Sequence, residues 1–145
     1  MKNYFWICFL IFSSLFISNC ASTYLTVQDT QSFPKPPDDK GIIYFYRPSA
    51  FAGAAVSYDI RLNDNIIGAV RNGTYFYKML EPGSYVFWAR TEAKKEINME
   101  IESGKNQYIK CGVGWGFFVG HPKFSVVPEV TGKNEIKGCK YAVPK

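Results

Sequence analysis

The residue types that could carry chemistry are few and widely spaced in this chain of 145 residues. Its one histidine, His121, stands beside Pro122 in a stretch of glycines and aromatics. A hydrolase built on it would need a nucleophile, the base itself and a group to orient that base. The neighbouring residues do not supply that set, so His121 reads as a surface-loop residue. Paired carboxylates could serve glycoside cleavage, and Glu96, Glu100 and Glu102 are close in sequence. They alternate with Ile97, Met99 and Ile101, however, which is the pattern of a strand with one face in water. A zinc site would need several Cys or His ligands at short spacing, and the chain does not offer them. These residues therefore predict no catalytic group, no metal and no cofactor, and the protein is expected not to be an enzyme.

Charge excludes another class. Lys and Arg exceed Asp and Glu by five over the whole chain, but the basic residues are scattered from Lys35 to Lys145. A nucleic-acid binder concentrates them on one face or along one helix, so no nucleic acid is expected as a partner.

The cysteines are more informative. Lys2, the apolar run from Tyr4 to Ile17 and the polar pair Ser18 and Asn19 form the three-part plan of a secretory leader over residues 1–19. The run falls short of the about 20 apolar residues that a spanning helix needs. Ile17, Ser18, Asn19 and Cys20 resemble the lipobox of bacterial lipoproteins, with Asn19 where Gly, Ala or Ser is usual. The resemblance implies lipid transfer to the Cys20 sulfur, cleavage before it and acylation of the new amine by palmitate-type chains. Because Ala21 follows Cys20, it also implies a lipid-anchored place in the outer membrane of a bacterial envelope. Each buried methylene contributes roughly 0.8 kcal/mol, so two or more chains hold firmly.

On that scheme Cys8 leaves with the leader and Cys20 carries lipid. Cys111 and Cys139 remain as an even pair expected to form a disulfide in an oxidising compartment. Closing that loop would stabilise the fold by roughly 3.5 kcal/mol. The same pairing argues against a thiol dyad of Cys111 with His121.

The elements that position these residues read as β throughout. Residues 20–40 carry Pro34, Pro36 and Pro37 without periodicity and read as a lipid-bearing tether, the alternative being an irregular first strand around Tyr24 to Val27. From Gly41 to Lys145, apolar alternation with a turn about every ten residues predicts an all-β domain. The expected fold is a single antiparallel β-sandwich of about seven to eight strands, immunoglobulin-like or transthyretin-like. Ile42 to Arg47 is apolar on both faces and reads as a central strand, whereas Val56 to Leu62 alternates and reads as half exposed. Asn63, Asp64 and Asn65 predict a tight hairpin turn. Glu81, Pro82, Gly83 and Ser84 predict a type II turn joining Thr74 to Leu80 with Tyr85 to Thr91 in a second hairpin. A short helical turn is allowed near Val127 to Glu135.

The strand from Gln107 places Ile109, Cys111, Val113, Trp115 and Phe117 on one face and Gly112, Gly114 and Gly116 on the other. The bare glycine stripe should be covered by the C-terminal segment from Ile136 to Val143, or else line a ligand groove. Trp115, Phe117, Phe118 and His121 form the candidate binding surface, because that much aromatic area should bury itself against something.

Gly41 with Tyr44, Phe45, Tyr46, Arg47 and Pro48, the Gly68 hairpin, Tyr77, and the turn of Leu80, Glu81, Pro82, Gly83 and Tyr85 resemble a family of small bacterial lipoproteins. That family is known as domain of unknown function 2846. The proline-glycine turn is also similar to those of transthyretin-like surface modules. The resemblance implies a fold and a role in binding or display rather than in catalysis. Together with the lipid anchor it leads to a non-catalytic envelope module that presents its domain to an envelope or host protein. The alternatives are an inhibitor of an incoming hydrolase such as lysozyme, a glycan binder or a hydrolase.

Overall fold

The computed structural model describes Val27, Gln28, Gln31 and residues 33–144. The candidate lipidation residue Cys20 and the leader lie outside the described residues. Among the described residues, ten strands and one helix follow in chain order: β1 (Val27–Gln28), β2 (Gly41–Arg47), β3 (Tyr58–Leu62), β4 (Asn65–Val70), β5 (Thr74–Leu80), β6 (Gly83–Arg90), β7 (Lys94–Ile101), β8 (Asn106–Gly114), β9 (His121–Val127), α1 (Glu129–Ile136) and β10 (Lys140–Ala142). They form two sheets, of order β1-β10-β5-β2-β8-β9 and β4-β3-β6-β7. The all-β sandwich expected from alternation is the fold observed.

Apolar character on both faces is why β2 lies in the middle of the larger sheet. Ile43 and Phe45 point between the sheets, where Phe45 meets Phe76 and Phe87, each at 5.1 Å. Ile42, Tyr44 and Tyr46 point the other way into a second cluster with Tyr75, Tyr108, Ile136 and Cys139. Helix α1 and the chain after it lie over that outer face, so every residue of β2 is buried. The Asn63 turn is also as expected: Asn63 takes φ 54° and β3 pairs antiparallel with β4.

Three expectations are corrected. First, the sandwich is not purely antiparallel and has more strands than expected, because β2 pairs parallel with β8 and β10 pairs parallel with β5. Second, β5 and β6 are not a hairpin. Pro82 and Gly83, the latter at φ 149°, carry the chain from one sheet to the other, so they make a corner and not a type II reversal. Alternation tells which face of a strand is apolar, and both outcomes satisfy it. Third, the domain's contacts begin before Gly41. Val27 and Gln28 pair with Ala142 and Tyr141. Gln31 donates to the carbonyls of Lys137 and Cys139 at 2.7 and 3.0 Å, and Phe33 stacks on Tyr75 at 5.3 Å.

Candidate interaction surface

Strand β8 ends at Gly114 and β9 starts at His121, leaving a six-residue connection at one end of the sandwich. Ile109 and Cys111 face the core as alternation requires, and Val113 packs against its edge. The alternation does not continue. Trp115, Phe117 and Phe118 leave the sheet and are 98%, 90% and 88% exposed. Phe117 and Phe118 meet edge to face at 4.7 Å. None of the three rings belongs to the core.

The loop is tied down from the turn between β6 and β7. The Glu92 carboxylate accepts hydrogen bonds from the backbone N–H groups of Phe118 and Val119 at 3.1 and 3.2 Å. These bonds hold its pKa below the ordinary carboxylate value. Beside it the Thr91 hydroxyl donates to the Gly120 carbonyl at 2.9 Å. Gly116 makes room for this contact, because a Cβ there would overlap the Glu92 carboxylate and the Val119 carbonyl.

A neighbouring loop, 48–57, shares this end. The buried Arg47 guanidinium donates to the carbonyls of Val56 and Gly53, both at 2.6 Å. Gly53, at φ 72°, sits against Val113. Phe51 at the loop's tip is fully exposed, so a fourth aromatic stands at the same end of the sandwich. Sequence reasoning missed Thr91, Glu92 and Phe51. Glu92 acts 26 residues away on backbone groups, which leaves no periodic trace, and Phe51 falls outside any alternating run.

His121 joins the surface only at its base. Its ring lies over Gly114, where a Cβ would meet Cε1 at 2.7 Å, and its Nδ1 is buried without a hydrogen-bond partner. A shallow cleft of about 340 Å³ between β7 and β9 includes His121, Glu96, Lys95 and Lys123, and no serine, threonine or cysteine lines it. Glu96, Glu100 and Glu102 are exposed and engaged locally, with Lys94, Ser84 and Lys105 respectively. Among the described residues no group of three or more His, Cys, Asp and Glu side chains could hold a metal ion.

The expected disulfide is not formed. Cys111 and Cys139 are free thiols, buried in different clusters. Cys111 faces the space between the sheets, where burial pushes its pKa well above the usual thiol value. Cys139 lies on the outer face beneath α1, its thiol directed at the Arg47 carbonyl at 3.5 Å and raised to about 11 by burial. The large sheet separates them, a disposition that an even count of cysteines does not reveal. Cys111 and His121 also occupy opposite faces of the sheet and form no dyad.

The glycine stripe is covered otherwise than expected. Gly114 lies under His121 and Gly116 under Glu92, while the C-terminal segment covers the tyrosines and places β10 beside β5.

A two-sheet sandwich with a stapled, solvent-facing aromatic loop at one end makes this a small all-β domain. The model of the family described as protein of unknown function (DUF2846) matches residues 37–120, and the chain belongs to that family. It is 30% identical over 135 residues to a protein of Haemophilus influenzae described as uncharacterized, covering 90% of this chain and 80% of that protein. No solved structure matches the chain.

Proposed function

We propose that the protein is a non-catalytic envelope lipoprotein, anchored to the outer membrane through Cys20, that holds a protein partner with its aromatic loop. The observation that carries this reading is the near-complete exposure of Trp115, Phe117 and Phe118 on a loop whose backbone is fixed by Glu92. Rings left in water gain free energy when a partner covers them, and aromatic anchors dominate protein interfaces. A fixed backbone reduces the ordering cost of binding.

The placement supports the same reading. β1 and β9 are opposite edges of the large sheet, five strand spacings apart, or about 24 Å. The aromatic loop joins β8 to β9, so it stands far from the strand through which the anchoring segment reaches the domain.

Crosslinking in intact cells followed by affinity purification tests the proposal. A reproducible partner is expected with the natural chain and should be lost when Trp115, Phe117 and Phe118 are replaced together by Ala. Recovery of the same partner by the triple variant, or of none by the natural chain, would refute the reading. Mass spectrometry of the membrane-extracted protein is expected to find acyl groups on Cys20.

A further inference from the structure

The aromatic loop does not stand alone at its end of the sandwich. Loop 48–57 is fixed beside it: the Arg47 guanidinium holds the Gly53 and Val56 carbonyls, and the Ala50 N–H donates to Asn72 Oδ1 at 2.9 Å. Gly53 of that loop and Gly120 of the aromatic loop both lie against the Val113 side chain. One residue at the edge of the core therefore carries both loops. Phe51 is offered at the same end as Trp115, Phe117 and Phe118, and all four are almost wholly exposed.

The two loops share a second property. Residues 48–57 and 115–120 contain no Lys, Arg, Asp, Glu or His, although 20% of the chain is charged. Charges across an interface favour one partner and repel others. A tip without them has no means of rejecting an identical tip, and its rings gain as much from covering each other as from covering foreign ones. The area is sufficient. Four aromatic side chains bury about 600–1,000 Å² between them, and a stable complex buries about 800 Å² on each partner. A bilayer suits the tip less well. The exposed Glu92 carboxylate lies against the loop backbone, 3.1 Å from the Phe118 nitrogen, and would have to leave water with the rings.

We propose that the tip binds a second copy of this chain, tip to tip about a twofold axis, with Phe51, Trp115, Phe117 and Phe118 of each copy packed on those of the other. This names the partner for the reading that the aromatic loop holds a protein, and it rests on that reading. A twofold contact uses the same patch on both copies, so it closes with two and leaves no tip free to recruit a third. Strand β1, by which the anchoring segment enters, is on the far edge of each large sheet and stays outside the contact.

The test uses the full chain in intact cells that make two differently tagged copies. With the photoreactive p-benzoylphenylalanine in place of Phe118, illumination should join one tag to the other, and mass spectrometry should map the new bond to residues 48–57 or 115–120 of the second copy. The same probe in place of Val86, exposed on the other sheet, should not join them. The yield from Phe118 should fall at least about tenfold when the second copy carries Phe51→Ala, and likewise when it carries Trp115→Ala with Phe117→Ala. None of the four rings belongs to the core, and protection of Cys111 and Cys139 from iodoacetamide checks that each variant is folded. The two variants change separate loops, so either one suffices. Bonds between the tags that map outside the two loops, form equally from Val86 or persist in a folded variant would overturn the pairing. Crosslinks from Phe118 to a different protein alone would also overturn it while leaving the aromatic-loop reading in place, whereas no protein crosslink at all would overturn both.

Discussion

Glu92 is a single carboxylate on a turn, yet two backbone N–H groups of the aromatic loop end on it, and Gly116 is the residue that lets it approach. An ionised acceptor makes stronger hydrogen bonds than a neutral one. Glu92→Gln is therefore expected to speed hydrogen exchange at Phe118 and Val119 several-fold while leaving the exchange of β8 and β9 unchanged; equal rates in both proteins would show that the loop is held otherwise. The two thiols offer a second test at this scale. Burial keeps Cys111 and Cys139 protonated at neutral pH, and thiolate is the reactive form. Neither should react with iodoacetamide in the native protein, and both should react after unfolding without added reductant. Protection that persists in denaturant would mean that they are joined after all.

At the scale of elements, α1 is held to the outer face by shape and by charge. Gly132 lies directly on the Tyr108 ring, with no room for a Cβ. Glu135 accepts from Lys110 at 2.8 Å and from the Tyr46 hydroxyl at 2.7 Å. The Lys110 and Tyr46 hydrogen bonds hold the Glu135 pKa below its ordinary value. In the unfolded chain the carboxyl titrates near about 4.3, so as pH falls the unfolded state takes up the proton first. The contribution of Glu135 is complete above that ordinary value and is lost as pH drops through the lower, folded one. Glu135→Gln should lower stability at neutral pH by about 1 kcal/mol, since the pair is partly exposed. The variant should also lose stability less steeply in acid than the natural protein, as followed by urea unfolding. The corner at Pro82 and Gly83 belongs to this scale too. Sequence chemistry locates such a bend, but a bend that returns within a sheet and one that crosses to the other look alike in the residues.

For the whole molecule, the larger sheet is covered on both faces, by the second sheet inside and by α1 and the flanking segments outside. The outer layer is built of tyrosines: Tyr44, Tyr46, Tyr75 and Tyr108, with Tyr77 and Tyr141 packed against them. Burial raises Tyr108 and Tyr141 to about 12 and moves Tyr44 and Tyr46 in the same direction. An unfolded tyrosine ionises near about 10. The stability that comes from keeping these phenols neutral is full below that pH and declines as pH rises toward the folded values. Tyrosinate absorbance and circular dichroism should therefore change together above about pH 10. Tyrosinate forming at its ordinary pH with the fold intact would place the rings in solvent.

The sequence by itself determined which face of each strand is apolar, that β2 is covered on both sides, where the chain turns at Asn63, and that the fold is a β-sandwich. These follow from side chains alternating along a single strand, a property carried by neighbours in the chain. Only the tertiary structure decided that β8 lies parallel beside β2, that Cys111 and Cys139 face opposite ways, that Trp115 and Phe117 leave the alternation, and that Glu92 fastens the loop they stand on. Each of those depends on groups far apart in the chain coming within a few ångströms. Such pairings are selected by the packing of the whole molecule and leave no pattern in any short stretch of residues.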